Sequence, residues 1–434
     1  MGRELFAAYP VFQKSVRDMD EVFQRVTGMS IIQDYGLFDD VANPPLPEIW
    51  PIALVLPSIA IFQIALFDLL ISLGLTPDAI VGHSAGETAV LYACGAASKE
   101  MAVELAIIRG RSFTPIEKLG GTMAALACTE EELGDILFEY RKLEGNGLVE
   151  LACFNAPSAV AIAGEEAAID SIVRLAEGRG KFARKIRTRV PFHSSMMKEA
   201  EDDYKAGLKA LFERYPGPHS PQIPVYSTLT GTRFETSFDA DYFWNNTVSP
   251  VYFTQAMESI HKSIPSASFV EISPHPVLAS YVVSMASESS TVLHSVQRPK
   301  RGQAPTEVVD ILHLCGKLTV AGHNSVDFTA LNQRSCSEFD LRLPQYPFSK
   351  KRYPLYPDTP GVHKQLEAPL GPLNSSYLRM NKETHPMLAE HVIRGEPIMP
   401  AAGFLEMVSR SYRSFDGIFL TFPNLRPWNS EHPR

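Results

Sequence analysis

Residues 79–87, AIVGHSAGE, place a glycine-flanked serine directly after a short apolar run. Such a run is typical of a buried parallel strand, and the small residues after the turn continue in a helical pattern. A tight strand-to-helix turn crowds the backbone, which favours glycine on both sides of the serine and exposes its hydroxyl at the end of the sheet. The segment predicts an α/β fold with Ser84 as a nucleophile, and a glycine-rich packing turn is the alternative.

A nucleophilic serine also needs a base and a group that binds the oxyanion. The backbone N–H of Ala85 stands at the start of the predicted helix and can donate to an oxyanion there. Among 12 histidines, His193 is the candidate base, because it stands at the end of an apolar run in residues 190–194. From the residues alone, the alternative of a structural histidine stays open.

Arg109 interrupts an otherwise apolar helical segment, residues 106–111. One interpretation is an arginine whose tip is exposed to solvent. The other is a buried guanidinium that awaits a carboxylate, which its planar fork would bind through two parallel hydrogen bonds. The second interpretation makes Arg109 a candidate binding residue.

Residues 52–75 are almost all apolar and invite a membrane interpretation. However, Pro57, Gln63 and Asp68 interrupt the run and no basic flank follows it. A spanning helix needs about 20 predominantly apolar residues with few charges. We therefore expect a buried helix rather than a membrane span, with Ser58 as its N-cap.

Residues 121–187 have a different hydrophobic pattern, in which short apolar runs alternate with amphipathic segments. Thr129 followed by Glu132 is a capping-box pattern and predicts the start of a helix. The predicted order is strand-helix-strand-strand-helix-strand, which is the ferredoxin-like pattern. We expect a small ferredoxin-like subdomain inserted into the larger α/β fold.

The composition limits the partners and the compartment. A net charge of −9 and the lack of a long Lys/Arg block argue against nucleic acid as a partner. Five widely spaced cysteines without a CxxC pair are typical of a reducing compartment, without disulfides or a structural zinc. The N-terminus carries no basic-then-apolar signal peptide, so we expect a cytoplasmic protein.

In combination, these segments resemble the acyltransferase domain of polyketide and fatty acid synthases, over about residues 1–355. The spacing from Ser84 to Arg109 matches the family's malonyl-carboxylate clamp, and Phe243 stands where the family usually has tryptophan. Further similar segments are Phe154–Ser158, Val190–Ser194, Tyr242–Phe253, Glu271–Leu278 and Leu343–Tyr353.

The resemblance implies an α/β-hydrolase-like parallel sheet within an acyltransferase domain at residues 1–300. It implies transfer of a malonyl group from coenzyme A, through an ester of Ser84, to the phosphopantetheine thiol of a separate acyl carrier protein. His193 would be the base and Arg109 would hold the malonyl carboxylate. No cofactor or metal is expected on the chain, and the expected partners are the carrier protein and other synthase domains.

Four further positions acquire roles from the resemblance. Phe192 resembles the malonyl-selecting variant of its segment, since an aromatic wall opposes an α-methyl group by about 1–3 kcal/mol. A backbone carbonyl that orients the base maps to Asn246. His83 and Asn155 are expected beside the substrate.

A second resemblance begins near residue 381, after a proline-rich linker expected at residues 301–380. His391 opens an HxxxGxxxxP string that resembles the dehydratase hotdog motif of highly reducing polyketide synthases. His391 would be the dehydratase base, and a metal site formed with His385 is the competing interpretation. No acid from a second hotdog is recognisable in residues 381–434, so we expect no dehydratase activity.

The resemblance also predicts truncation at both ends. Family domains open with a strand that ends in a Gly-Gln-Gly turn, and a backbone N–H of that turn is the second oxyanion donor. Residues 1–5 align just after this turn, so the first strand is expected to be missing. A catalytically impaired remnant that at most binds carrier protein is therefore the alternative function. A lipase-like hydrolase is a third, disfavoured because Arg109 suits an anionic acyl group.

Overall fold

The computed structural model describes residues 1–39, 46–143, 145–299, 302–332 and 391–397. The described residues up to 332 form one unit, and residues 391–397 belong to a second unit. The helices are α1 Arg3–Ala8, α2 Pro10–Thr27, α3 Ile52–Ser72, α4 Glu87–Ala93, α5 Lys99–Ser112, α6 Glu130–Leu143, α7 Glu166–Gly178, α8 Glu201–Arg214, α9 Ala240–Val248, α10 Phe253–Ser263, α11 Ala279–Met285, α12 Glu307–Val320 and α13 Phe328–Asn332. The strands are β1 Ile80–Val81, β2 Gly121–Leu126, β3 Val149–Ala156, β4 Ala159–Glu165, β5 Ala183–Lys185, β6 Val225–Ser227, β7 Thr232–Phe234, β8 Val251–Tyr252, β9 Ser268–Glu271, β10 Thr291–His294, β11 Val392–Ile393 and β12 Glu396–Pro397.

Helix α3 is the centre of the larger hydrophobic core. It packs against α2 and α5, and most of its apolar length is buried. By length and composition alone, it is the single helix of the described residues that could cross a membrane. Its burial agrees with the expected core helix.

The predicted N-cap of this helix is wrong. Helix α3 begins at Ile52 and runs through Pro57, so Ser58 lies inside it. The Ser58 hydroxyl donates to the Leu54 carbonyl at 2.6 Å instead of capping the N-terminus. Burial of apolar residues on both sides of Pro57 stabilises the helix, although proline at this point removes one backbone hydrogen bond.

The sheet that carries the nucleophile is mixed, whereas a parallel sheet was expected. Strand β1 pairs in parallel with β6, and β7 pairs with β6 antiparallel. Strands β9 and β10 form a separate parallel pair. Within the described ranges, β1 has no neighbour other than β6, and both of its residues are half-buried.

Residues 121–187 have the predicted element order, with α6 and α7 between the strands. Strands β5, β2, β4 and β3 lie side by side in that order and pair antiparallel. The predicted capping box is also present, because Thr129 Oγ1 accepts from the Glu132 N–H and the Glu132 carboxylate accepts from the Thr129 N–H. Strand β3 continues the sheet by pairing in parallel with β8, which brings this region next to α9 and α10.

The boundary expected at residue 300 lies too early. Helix α12 buries Ile311, Leu314 and Cys315 in the same core as α2 and α3. The Glu307 carboxylate accepts hydrogen bonds from the backbone N–H groups of Gly2 and Glu4. Residues 302–332 are thus part of the first unit, because their amphipathic helix supplies apolar side chains to its core.

Residues 391–397 form a two-stranded hairpin of β11 and β12. Arg394 and Gly395 have φ angles of 54° and 86°, which suit a tight hairpin turn. His391 is exposed just before β11. The rest of the predicted linker beyond residue 332, and the rest of the predicted hotdog segment, lie outside the described residues.

Candidate active site

The turn between β1 and α4 holds Ser84 in the geometry of a nucleophile elbow. Ser84 has a φ of 51°, a left-handed conformation that non-glycine residues rarely adopt. A Cβ at Gly82 would lie 2.9 Å from the Glu87 carboxyl carbon, so glycine is required there. A Cβ at Gly86 would meet nothing closer than 3.9 Å, so crowding explains the first flanking glycine but not the second.

Ser84 and His193 form a direct hydrogen bond. The carbonyl of Ser249 can only accept, so His193 Nδ1 carries the proton that it donates to that carbonyl at 2.8 Å. His193 Nε2 is then an acceptor, and the Ser84 hydroxyl donates to it at 2.6 Å. The imidazole is therefore in the tautomer that can remove the serine proton.

The backbone carbonyl that orients His193 was expected at Asn246; the direct hydrogen bond of the ring goes to Ser249, and the Asn246 backbone interacts with the ring more weakly. The carbonyl of Ser249 accepts the Nδ1–H bond, and the carbonyl of Thr247 accepts the His193 backbone N–H at 2.9 Å. Residues 246–249 form the end of α9 and the turn into β8, so both backbone groups come from one short segment beside the ring. The Asn246 side chain is buried, and its Oδ1 has no hydrogen-bond partner among the described residues.

The surroundings of His193 keep its ring neutral. Burial, followed by the positive charge of Arg109, lowers the pKa of His193 from 6.5 to about 3. The hydrogen bond to Ser249 acts in the opposite direction but is the weaker effect. A neutral imidazole is the form that a general base requires.

Arg109 is a buried cation without a partner. It lies in the last turn of α5, is 1% exposed, and its Nε, Nη1 and Nη2 atoms have no hydrogen-bond acceptor in the described ranges. Burial lowers the pKa of Arg109, while Tyr204 and Glu87 oppose that shift. An unpaired charge in such a position costs several kcal/mol, so the site favours an anion.

An aromatic ring lies beside the guanidinium. Its central carbon lies 5.9 Å from the centroid of the Phe192 ring, which is half-buried. The Phe192 ring meets Phe113 edge to face at 5.7 Å and lies 6.3 Å from the His193 ring. Phe192 therefore contacts both the arginine and the base, and its role in selecting malonyl stays a prediction.

His83 and Asn155 contact one another on the other side of the turn. His83 Nε2 lies 2.8 Å from Asn155 Oδ1, which is an acceptor, so Nε2 carries the proton. The His83 ring packs edge to face against Phe253 at 5.4 Å. Burial lowers the pKa of His83, so this ring is also neutral.

Glu87, for which the sequence predicted no role, packs against Gly82 of the turn. Its fully buried carboxylate accepts from the Thr228 N–H at 3.1 Å, the Thr228 hydroxyl at 2.9 Å and the Tyr242 hydroxyl at 3.1 Å. Burial raises the pKa of Glu87. Acidic residues in the first turn of a helix are usually exposed and interact with the helix dipole, so no local pattern indicated this buried role.

The first unit brings together Ser84, His193, Phe192 and Arg109, while His83 and Asn155 pair beside the turn. The backbone N–H of Ala85 belongs to the 3-10 turn that starts at Ser84, where the first N–H groups lack intrahelical acceptors. His391 lies in the second unit. The described residues contain no group of three or more His, Cys, Asp or Glu side chains that could hold a metal ion.

The arrangement is similar to known acyltransferases. A sequence model of the acyl transferase domain family matches residues 1–325. The highly reducing polyketide synthase stpks1 of Strobilurus tenacellus is 42% identical over 412 residues, which cover 94% of this chain and 15% of that protein. The highly reducing polyketide synthase ltbA of Aspergillus luteorubrus is 30% identical over 440 residues, which cover 94% of this chain and 13% of that protein.

Solved structures agree with these relatives. The loading acyltransferase of the avermectin modular polyketide synthase has a TM-score of 0.64 at 27% identity, and the match covers 74% of this chain and 95% of that one. The acyltransferase domain from the second module of the salinomycin polyketide synthase has a TM-score of 0.63 at 27% identity, covering 79% and 75%. The chain spans only 13–15% of the length of the two curated relatives. The chain belongs to the acyl transferase domain family.

Proposed function

We propose that this chain transfers a malonyl group from coenzyme A to the phosphopantetheine thiol of an acyl carrier protein. The observation that carries the proposal is the buried, unpartnered guanidinium of Arg109 near a hydrogen-bonded pair of Ser84 and neutral His193. A serine–histidine pair alone would suit any acyl group. The unpaired cation favours an acyl group that ends in a carboxylate.

The first half-reaction forms a malonyl ester of Ser84. As the Ser84 oxygen attacks the thioester carbonyl, its proton moves to His193 Nε2. The backbone N–H of Ala85 stabilises the negative charge that develops on the carbonyl oxygen. The tetrahedral intermediate then collapses, the C–S bond breaks, and the proton on Nε2 passes to the sulfur of coenzyme A.

The second half-reaction is the same sequence with a different thiol. The phosphopantetheine thiol of the carrier gives its proton to His193 Nε2 while its sulfur attacks the ester carbonyl. Collapse breaks the bond to the Ser84 oxygen, which takes the proton back. Malonyl-CoA and the carrier thiol enter as substrates, and the chain's own residues supply the base, the oxyanion donor and the carboxylate contact.

The position of the chain within a larger protein is also part of the proposal. The relatives are polyketide synthases, and this chain spans 13–15% of their length. We infer that it is one domain of a cytoplasmic synthase and works there with a carrier protein and other synthase domains. We interpret residues 121–187 as the inserted ferredoxin-like subdomain, because the strand order and pairing of β5, β2, β4 and β3 suit that fold. We keep His391 as the first residue of a dehydratase motif.

Transfer is tested by single-turnover mass spectrometry. The chain is incubated with malonyl-CoA, freed of excess substrate, and then mixed with phosphopantetheine as the acceptor thiol. We expect a mass increase of one malonyl group, lost on addition of the thiol with formation of malonyl-phosphopantetheine. Ser84→Ala should show no increase, whereas Ser220→Ala, at an exposed serine, should behave as the unmodified chain. No adduct, or rapid release of free malonate before the thiol is added, would contradict a transferase.

A further inference from the structure

Tyr204 carries another buried polar group without a hydrogen-bond partner among the described residues. It lies on α8, is fully buried, and its hydroxyl has no hydrogen-bond partner among the described residues. The nearby Thr247 hydroxyl donates to the Phe243 carbonyl at 3.0 Å, and its interaction with the Tyr204 oxygen lies outside ordinary hydrogen-bond geometry. A buried hydroxyl without a partner costs about 1–3 kcal/mol, so its retention calls for an explanation.

The packing of α5 against α8 holds Tyr204 near Arg109. The Ser112 hydroxyl donates to the Asp203 carboxylate, which connects the two helices on one side of the pair. On the other side, a Cβ at Gly207 would lie 2.6 Å from the Ile108 side chain, so the helices approach closely there. Arg109 and Tyr204 lie between these contacts, and each affects the protonation of the other.

A chain of aromatic contacts connects the two groups. The Tyr204 ring meets Phe113 at 4.9 Å and Trp244 at 6.4 Å, and Phe113 in turn meets Phe192, the ring beside the guanidinium. Burial raises the pKa of Tyr204 to about 12, so its oxygen keeps its proton near neutral pH. The surroundings therefore present the N–H groups of Arg109 and one phenolic O–H, and the described residues place no acceptor in hydrogen-bond geometry with either group.

Two unpartnered donors in one apolar layer fit an anion with several lone pairs. A guanidinium occupies two carboxylate lone pairs in its usual fork, which leaves two more to accept from another donor. We propose that the Tyr204 hydroxyl is a second donor to the carboxylate of the acyl group and so helps to select malonyl over neutral acyl groups. This inference rests on the proposed function for the identity of the acyl group.

The test compares equilibrium binding of malonyl-CoA and acetyl-CoA by calorimetry in a Ser84→Ala background, where no transfer can occur. Tyr204→Phe removes only the hydroxyl and should weaken malonyl-CoA binding about tenfold, the lower range for a hydrogen bond to a charged group. Acetyl-CoA binding should change less than about twofold, since it lacks the carboxylate. Tyr140→Phe, at a buried tyrosine of α6, is the matched control and should change neither.

The outcomes separate this inference from the proposed function. Selective loss of malonyl-CoA binding in Tyr204→Phe supports the inference even if the intact chain fails to transfer malonyl to a thiol. Equal loss for both ligands, or no loss for either, overturns it and leaves Tyr204 as a packing residue. Malonyl-CoA that binds the Ser84→Ala chain no more tightly than acetyl-CoA also overturns it.

A second measurement covers the case in which Tyr204→Phe does not fold. The methyl ester of malonyl-CoA blocks the carboxylate while the chain keeps Tyr204. Arg109→Lys retains the positive charge but loses the two-pronged geometry of the guanidinium. If the carboxylate accepts from two donors, esterification should reduce the binding affinity by clearly more than Arg109→Lys reduces the affinity for malonyl-CoA. An ester that binds as well as malonyl-CoA would contradict a donor role for Tyr204.

Discussion

Lowering the pH from about 7.5 to about 5 should leave the rate of Ser84 acylation nearly unchanged. A histidine of ordinary pKa, 6.5, would be only about 3% neutral at pH 5, so the rate would fall about thirtyfold. Burial and the charge of Arg109 lower the pKa of His193 to about 3, so about 99% of the ring stays neutral at pH 5.

The assay is rapid-quench mass spectrometry of the malonyl adduct at saturating malonyl-CoA, with the imidazole titrated in parallel by NMR. Arg109→Met removes a charge that lowers the His193 pKa, so its titration midpoint should move upward, whereas Arg109→Lys should move it less. An acylation rate that falls with a midpoint near pH 6.5 in the unmodified chain would refute the reasoning.

The remaining predictions concern three other side chains. Arg109→Ala should reverse the preference for malonyl over acetyl, which competition between the two thioesters measures. Glu87→Leu should lower the free energy of unfolding, measured in urea, by about 3 kcal/mol or more, because the Thr228 and Tyr242 donors lose their acceptor. Glu87→Gln should lower the free energy of unfolding by less. His391→Ala should change nothing in an assay of 3-hydroxyacyl thioesters, since we expect no dehydration by the unmodified chain; dehydration abolished by this substitution would contradict us.

The lowered pKa of His193 also makes the stability of the fold depend on pH. The unfolded chain protonates His193 near pH 6.5, whereas the folded chain does so only near pH 3. Below pH 6.5 the unfolded state therefore binds the proton first, and stability is lost as the pH falls towards 3, by up to about 1.4 kcal/mol per pH unit. His193→Asn should lessen this acid sensitivity in urea unfolding, and an unchanged pH slope would show that other groups cause it.

Short local motifs predicted those residues whose role follows from their residue type and their immediate neighbours. Ser84 in its glycine turn and the capping box at Thr129 follow from short-range rules, and the structure has both. His193 and Arg109 were ambiguous from the residues alone, and the family resemblance decided between a functional and a structural interpretation. The pairing of Ser84 with His193 then joins positions that are distant in the sequence, which no local pattern contains.

The missed features depend on tertiary packing. The carbonyl that orients His193 belongs to Ser249, and a backbone carbonyl has no sequence signature because every residue carries one. The roles assigned to Glu87 and Tyr204 depend on the burial of their polar groups, which only the tertiary structure shows. The N-cap expected at Ser58 failed because core packing outweighed the helix-breaking tendency of Pro57.

The central claim is that Ser84, activated by a neutral His193, accepts an acyl group whose carboxylate is held by Arg109. The most direct measurement offers the chain equal concentrations of malonyl-CoA and acetyl-CoA and maps the acylated peptide by mass spectrometry. We predict a malonyl ester on Ser84, with acetyl at least about tenfold less abundant, the ratio a charged hydrogen-bonded pair supports. Equal amounts of the two esters, or acylation at another residue, would contradict the account.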